Sequence, residues 1–160
     1  MNLDYGSGRQ PKQGFKSSDF CGAPNYDYFI ENYMVVDLED NSCDKIHCRN
    51  VIHHIPEKDL PVLVNEFRRL LKPGGELIIS EPRKEFHVQN KILDFIWYRH
   101  IVNDTSIMIP DKYVNYKIHF KAFFDVLSVE NEFNNEILVL RDRTKLEANR
   151  AELGGELICI

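Results

Sequence analysis

The most regular pattern of apolar and polar positions lies in the middle of the chain. Apolar side chains recur every three or four residues along one face of a predicted helix that begins near Asp59, at Leu60, Leu63, Val64, Phe67, Leu70 and Leu71. Pro73 and the two glycines after it end this helix. Residues 45–51 alternate as a strand does, and residues 76–80 form a short apolar strand. The pattern predicts a strand, a helix and a strand in succession.

Weaker patterns on both sides extend this unit into a sheet. Upstream strands, each followed by a glycine turn or an acid, are predicted at residues 2–5, 15–18 and 33–36. Downstream, the spacing predicts a helix over residues 89–102, a short helix at 120–124 and a hairpin over residues 125–140. Because strands that alternate with crossovers form parallel sheets, we expect a mostly parallel sheet that ends in an antiparallel hairpin.

Composition is typical of a soluble globular protein. The 160 residues are 43% hydrophobic and 28% charged, which fits a single domain over residues 1–160. No apolar run approaches the roughly 20 residues that cross a bilayer, and residues 1–8 lack the apolar stretch of a secretory signal. Four irregularly spaced cysteines suit reduced thiols. We therefore expect a cytoplasmic protein with no membrane partner.

The charge balance does not favour a nucleic-acid partner. Twenty basic and 25 acidic side chains give a net charge of -5, so no overall positive field attracts phosphate backbones. Binding of a polynucleotide would require a local basic patch. A small-molecule partner agrees better with this composition.

Acids and glycines stand where the predicted parallel strands end. Asp4, Gly6 and Gly8 form an Asp-x-Gly-x-Gly turn after the first strand, Asp19 ends the second, and Asp37 ends the third. Glycines let a ligand approach the backbone N–H groups of such a turn. Ligands of parallel sheets bind beyond the carboxyl ends of the strands, so these positions predict a binding site. Taken alone, the glycines are equally typical of a plain tight turn.

The order of these signals resembles class I S-adenosylmethionine-dependent methyltransferases of the type 11 kind. The acids and the glycine turn are followed by Val-Ile-His-His-Ile at residues 51–55. The strongest signal is the Arg-x-Leu-Lys-Pro-Gly-Gly segment at residues 69–75, after the amphipathic helix. The resemblance covers residues 1–82, and the late hairpin is similar to the reversed last strands of that fold. Residues 83–124 and 142–160 match no family motif.

The resemblance implies an α/β fold, namely a doubly wound, mostly parallel sheet of the seven-stranded type. This is the Rossmann-like methyltransferase fold with an antiparallel C-terminal hairpin, here abbreviated at the N-terminus. Gln10 replaces the third glycine of the usual turn. The residues between Gly8 and Phe15 are too few for the usual first helix and its loop.

The resemblance also implies S-adenosyl-L-methionine as the cofactor and assigns residues to its parts. The glycine turn would cradle the methionine part, Asp19 would accept the ribose hydroxyls, and Asp37 with Leu38 would face the adenine. The end of the fourth strand would line the cleft where the methyl group points. The cofactor residues so implied are Asp4, Gly6, Ser7, Gly8, Asp19, Asp37, Leu38, Asn50 and Val51.

His53 and His54 are the candidate catalytic residues. An imidazole titrates near neutral pH and could take a proton from the acceptor, although residues at the start of a helix can also simply pack against the cofactor loop. Zinc is an alternative use of these histidines with Cys43 and Cys48, but the spacing argues against it, and we expect no metal.

Residues 83–124 are the candidate lid over a small acceptor that is methylated on oxygen or nitrogen. Within this segment, Trp97, Tyr98 and Tyr113 would lie near the acceptor. The aromatic side chains at helical spacing are more typical of a core. We also expect Arg68 and Arg69 to lie on the solvated end of the helix.

Other function classes remain to be compared with methyl transfer. A non-catalytic methyltransferase-like binding module would tolerate the shortened turn. A nicotinamide-dependent oxidoreductase fits poorly, since Asp19 lies much closer to the glycine turn than the roughly 20 residues expected. DNA adenine methylation is disfavoured because residues 49–52 lack the Pro-Pro-aromatic run that holds a flipped base.

Overall fold

One mixed sheet carries the structure. The computed structural model describes residues 1–20, 26–31, 34–84 and 115–145. Its strands are β1 (Asn2–Tyr5), β2 (Lys16–Asp19), β3 (Tyr28–Glu31), β4 (Val35–Val36), β5 (Cys43–Arg49), β6 (Leu71–Pro82), β7 (Phe124–Glu132) and β8 (Asn135–Asp142). They lie in the order β4-β3-β2-β1-β5-β6-β8-β7.

The pairing confirms the predicted fold class. Strands β3, β2, β1, β5 and β6 are parallel to one another, with β1 between β2 and β5. The last two strands form an antiparallel hairpin, and β8 rather than β7 pairs with β6. Because the five other strands are parallel, their carboxyl ends lie along one edge of the sheet.

Within the described ranges, two α-helices pack on one face of this sheet. Helix α1 (Leu60–Leu70) buries the predicted apolar face completely, and helix α2 (Lys117–Lys121) lies beside it. Phe67 of α1 meets the ring of Tyr5 edge-on at 4.8 Å between centroids. Its ring centroid also lies 6.2 Å from that of Phe120. None of the helices in the described ranges combines the length and the apolar character needed to cross a membrane.

The prediction of a third parallel strand at residues 33–36 is wrong in position. The parallel neighbour of β2 is β3, and the predicted segment contributes only the two-residue β4, which is antiparallel to β3. The connection between Glu31 and Val35 is too short for a parallel crossover, which needs a dozen or more residues. The chain can therefore only fold back as a hairpin.

The link between β1 and β2 contains turns and no helix, as its length predicted. Ser7 N–H donates to the carbonyl of Ser18 at 2.9 Å, so the start of the link lies against the end of β2. The link therefore folds down onto the carboxyl edge of the sheet without a helix of its own.

The candidate lid is described only at its two ends. Residues 85–114, with the predicted helix at 89–102 and Trp97, Tyr98 and Tyr113, lie outside the described residues. At the far end, Tyr116, Phe120 and Phe124 are buried core residues. Helix α2 begins three residues earlier than the predicted helix at 120–124. The extent of one domain over residues 1–160 stays a prediction.

The expectation that Arg68 and Arg69 are solvated is wrong. Arg68 donates to the buried Asp142 at 2.9 Å and lies over the ring of Phe123. Arg69 donates to both carboxylate oxygens of the buried Glu66, at 2.8 Å each. Arg69 also donates to the carbonyls of Val36 and Leu38, and Glu66 accepts from Val36 N–H at 2.9 Å. These contacts fasten residues 36–38 to the last turn of α1.

Replacing Arg69 by methionine should lower the free energy of unfolding by roughly 2 to 4 kcal/mol, because the buried Glu66 carboxylate then loses its cationic partner. Urea denaturation measures the change. In the control, Lys72→Met removes a cation that pairs with the exposed Asp44, and its loss should stay below about 1 kcal/mol. Equal losses for the two variants would contradict the role given to Arg69.

Candidate functional site

The glycine turn and the end of β5 are in direct contact. Gly6 and Gly8 have φ angles of +68° and +56°, which side chains rarely adopt. A Cβ atom on Gly6 would lie 2.4 Å from Cγ2 of Val51, whereas one on Gly8 would meet nothing within 4 Å. The lack of a side chain at Gly6 thus lets Val51 pack on the turn, while Gly8 faces open space.

Asp19 closes the glycine turn from the neighbouring strand. Its carboxylate is buried, with Oδ2 accepting from Gly8 N–H at 2.6 Å and Oδ1 from Phe20 N–H at 2.8 Å. The Ser7 hydroxyl donates to the carbonyl of Ser18 at 3.3 Å. A carboxylate accepts up to about four hydrogen bonds, so Asp19 can hold the turn and still accept from a ligand.

Asp4 lies beneath the turn and is engaged by the chain itself. Its register neighbour on β5 is His47, whose Nδ1 lies 2.7 Å from Asp4 Oδ1. Asp4 Oδ2 accepts from Lys12 N–H at 2.7 Å, and the ring of Phe15 packs edge-on against His47 at 6.0 Å. The pair therefore anchors residues 6–15 to the sheet. The sequence analysis did not single out His47, because its partner depends on strand register.

Asp37 and Leu38 do not join the other predicted cofactor residues. They follow the antiparallel β4, and the exposed Asp37 lies in a bend at the outer edge of the sheet. Arg69 Nη1 donates a hydrogen bond to the carbonyl of Leu38 at 2.5 Å. The residue that ends the third parallel strand is Glu31, which takes the place that the sequence analysis gave to Asp37.

A buried carboxylate that the sequence analysis did not single out organises the end of β5. Glu81, near the end of β6, is 1% exposed. Its Oε1 accepts from Val51 N–H and Ile52 N–H at 2.8 Å each, and its Oε2 lies 2.6 Å from His53 Nδ1. The rings of His53 and His54 lie 3.9 Å apart between centroids. Both predicted histidines thus belong to one turn, Ile52–His54, which Glu81 caps. We call it the histidine turn.

Asn50 lies at the same edge in a left-handed backbone conformation. Its φ of 55° is unusual for a residue with a side chain, and its Oδ1 accepts from the side chain of Asn135 at 2.8 Å. Asn135 also donates to the hydroxyl of Ser80 at 3.1 Å. The start of β8 therefore supports the cleft residue from the side opposite the glycine turn.

The two described cysteines are core residues. Cys43 and Cys48 lie on β5 and are fully buried. Burial raises the pKa of the Cys48 thiol well above its ordinary value, as does the charge of Glu81. Within the described ranges, no three His, Cys, Asp or Glu side chains are grouped closely enough to hold a metal ion.

A basic groove lies beyond the carboxyl end of β6. It encloses about 520 Å³, and a smaller depression of about 250 Å³ beside it includes Pro82 and Glu136. Glu136 on β8 is the register neighbour of Glu81 on β6. The depression therefore adjoins the residue that caps the turn of His53 and His54. The described residues that line the larger groove are Lys84, Asn115, Lys117, Ile118 and Lys121. Lys117 forms an ion pair with Glu136, and the ammonium groups of Lys84 and Lys121 make this groove suited to an anion.

In sequence, the chain is similar to proteins that transfer methyl groups. A family model described as a methyltransferase domain matches residues 3–115. Phosphoethanolamine N-methyltransferase 2 of Caenorhabditis elegans is 31% identical over 127 residues. The match covers 78% of this chain and 27% of that protein, so the chain spans little more than a quarter of the relative's length.

Solved structures share the fold. PH0226 from Pyrococcus horikoshii OT3 superposes with a TM-score of 0.65 at 15% identity, over 89% of this chain and 82% of that one. A SAM-dependent methyltransferase from Methanosarcina mazei gives a TM-score of 0.56 at 15% identity, over 88% and 91%. CalH, a trans-methyltransferase solved in complex with SAH, gives 0.56 at 18% identity, over 88% and 51%. These likenesses show the Rossmann-like fold.

Alanine should destabilise the chain more at Gly6 than at Gly8, although both positions have positive φ. The backbone alone costs about 1 to 2 kcal/mol at either position. At Gly6 the new methyl also collides with Val51, and we expect a further loss of roughly 2 kcal/mol. Urea unfolding of the two single variants measures the difference.

The double variant G6A/V51A is the control for this contact. Removing the Val51 methyls leaves its Cβ at 3.5 Å from the new atom, an ordinary distance. Relative to V51A alone, the added Gly6→Ala should then cost only what Gly8→Ala costs in the parent chain. Equal stabilities of G6A and G8A would refute the close packing.

Proposed function

The chain belongs to the methyltransferase domain family, and from this premise we propose that it transfers a methyl group from S-adenosylmethionine to a small-molecule acceptor. Family membership confirms the predicted class and its cofactor. The observation that supports the proposal is the contact of three strand ends: the Gly6–Gly8 turn after β1, Asp19 at the end of β2, and Val51 after β5. Ligands of parallel sheets bind at this edge.

The residues at this edge fit the cofactor chemically. The buried Asp19 carboxylate suits ribose hydroxyls, which donate hydrogen bonds. The open space over Gly8 admits a ligand to the backbone of the turn. We propose that Asp4 acts from beneath, by anchoring the turn through Lys12 N–H. On the adenine side we propose Glu31 in preference to Asp37 and Leu38, because Glu31 ends the third parallel strand whereas the other two follow the antiparallel β4.

The chain itself would align the acceptor and remove its proton. When bound, S-adenosylmethionine supplies an electrophilic methyl group on a positively charged sulfur, which keeps the bonding electron pair as the methyl leaves. Asn50 and Val51 would line the cleft on the acceptor side, where alignment and exclusion of water supply most of the rate enhancement. The acceptor proton would pass to His53 or His54, which share the turn next to this cleft.

We propose further that the acceptor combines a nitrogen nucleophile with a phosphate. The C. elegans relative is named for such an acceptor. Independently, Lys84, Lys117 and Lys121 line a groove next to Pro82, one residue from Glu81. Lysine ammonium groups are suited to phosphate. The groove would thus hold the anionic end of the acceptor while its nitrogen reaches the histidine turn.

The cofactor proposal can be tested by calorimetry with the Asp19→Asn and Asp19→Ala variants. Asp19→Ala should weaken S-adenosylmethionine binding by about 1.5 to 3 kcal/mol, the scale of hydrogen bonds to a charged group. Asp19→Asn should cost less, because the amide oxygen can still accept from Gly8 N–H. Asp44→Ala, which removes an exposed acid of another strand, should bind within about twofold of the parent chain.

Cofactor binding and methyl transfer by the parent chain distinguish the enzyme from a non-catalytic module. A parent chain that binds S-adenosylmethionine but methylates no acceptor would support that alternative over the enzyme. No heat of binding and no rise in melting temperature at a saturating concentration would refute the enzyme and support the non-catalytic module, which needs no cofactor. Unchanged affinity in both Asp19 variants would refute the ribose assignment alone.

The acceptor proposal predicts a selective loss in the double variant K84M/K121M. Its KM for phosphoethanolamine should rise by roughly tenfold or more, because the phosphate loses charge-assisted hydrogen bonds. Its affinity for the cofactor should not change. The control is Lys16→Met, which removes a lysine of β2 that pairs with Asp27. This variant should leave KM unchanged. Equal KM values for all three proteins would refute the groove as the phosphate site.

A further inference from the structure

We propose that Glu81 is a positioning residue that fixes His53 with its proton on Nδ1, so that Nε2 is the atom that accepts the acceptor's proton. The inference rests on the proposed function for its catalytic meaning. The tautomer that it assigns to His53 can be measured without any reaction. The sequence analysis did not single out this residue.

The contacts of Glu81 define which atoms hold protons. Two backbone N–H groups, of Val51 and Ile52, donate to Oε1 at 2.8 Å each, and the N–H of His53 approaches Oε2 at 3.4 Å. A carboxyl group that faces three backbone donors acts as an acceptor. The proton between Oε2 and His53 Nδ1, which lie 2.6 Å apart, therefore belongs to the histidine.

The tautomer decides what His53 can do. A neutral imidazole with its proton on Nδ1 has its lone pair on Nε2, and only a nitrogen with a lone pair can take up a proton. When the acceptor nitrogen or hydroxyl is methylated, its proton moves to Nε2, and the ring becomes a cation whose charge the Glu81 carboxylate balances. The same carboxylate thus sets the starting tautomer and stabilises the product of the proton transfer.

Burial makes this arrangement specific. The Glu81 side chain is 1% exposed and that of His53 is 15% exposed, so water competes little for their hydrogen bond. By contrast, Glu76 on the same strand is 25% exposed and pairs with Lys45 and Arg141. Glu76 is therefore a matched carboxylate on β6 that lies outside the site.

If residue 81 only capped the turn, glutamine would serve as well as glutamate. Glutamine is nearly isosteric and can accept from Val51 and Ile52 N–H through its amide oxygen. Its NH₂ group, however, would face His53 Nδ1 as a donor, which favours the tautomer with the proton on Nε2. Glu81→Gln thus preserves the cap of the turn and reverses the tautomer.

The direct test is nitrogen NMR of the ¹⁵N-histidine-labelled chain, with His53 assigned by its absence in His53→Gln. In the parent chain at about pH 9, well above the ordinary histidine pKa, we expect protonated Nδ1 and unprotonated Nε2. E81Q should shift His53 to the Nε2-protonated form, while E76Q should not. A parent His53 that carries its proton on Nε2, or on both nitrogens at this pH, overturns the proposal whatever E81Q does.

Kinetics test the catalytic meaning in a double-mutant cycle. E81Q should lower kcat by on the order of 100-fold, the contribution of general-base catalysis, with KM for both ligands within about twofold. H53Q should lower kcat as much, and E81Q/H53Q no further than H53Q alone, because the two residues act as one unit. E76Q should retain the parent kcat.

The outcomes separate this inference from the proposed function. An E81Q chain that keeps its kcat, or losses from E81Q and H53Q that simply multiply, would show that Glu81 only caps the turn. A parent chain that methylates no acceptor would count against the proposed function, while the NMR result would still confirm or refute the position of the proton. If E81Q unfolds, the tautomer in the parent chain remains the deciding measurement.

Discussion

Buried carboxylates that accept hydrogen bonds from loop N–H groups are the interaction on which the rest of this structure depends. Each acid among the described residues that is at most 6% exposed accepts from at least one backbone N–H group of a neighbouring loop or strand. These acids are Asp4, Asp19, Glu66, Glu81 and Asp142. A buried charge without partners is costly, and so is a buried N–H group without an acceptor. Pairing the two satisfies both.

The positions of these acids divide the molecule into two ends. At the carboxyl edge of the sheet, Asp19 and Glu81 hold the glycine turn and the histidine turn, and each lies next to a group proposed to meet a ligand. Near the end of α1, Glu66 and Asp142 are paired with Arg69 and Arg68. The arginine pairs stabilise the fold near the end of α1, whereas Asp19 and Glu81 accept from backbone N–H groups of the two turns at the carboxyl edge.

The short link between β1 and β2 explains why the acids are needed at the site. A helix after β1 would satisfy its own backbone N–H groups beyond the first turn, but residues 6–15 form none. Asp4 and Asp19 therefore supply acceptors from the sheet for Lys12 and Gly8. One consequence is that a ligand at Asp19 shares its carboxylate with the turn, so binding and local stability are coupled at this residue.

Sequence patterns by themselves determined the elements whose burial is periodic. Helix α1, strands β5 and β6 and the C-terminal hairpin have apolar positions at regular spacing. Each lies within two or three residues of its predicted bounds except β6, which begins five residues earlier than predicted. The glycine turn and Asp19 were also predicted, because glycines and acids after a buried strand mark the carboxyl edge of a parallel sheet. The fold class and the family followed from the order of these signals.

Only the tertiary structure decided which side chains meet across the sheet. The third parallel strand lies at residues 28–31, because a short link forces the next segment to fold back as the antiparallel β4. Asp37 follows β4 and therefore lies away from the carboxyl edge of the sheet. His47 faces Asp4, and Glu81 faces His53, through strand register and the path of a turn, neither of which leaves a periodic trace in the sequence. Arg68 and Arg69 were expected in solvent because charge at a helix end is usually solvated. Their buried partners lie 74 residues away for Arg68 and one helical turn away for Arg69, and only packing of the whole chain removes those carboxylates from water.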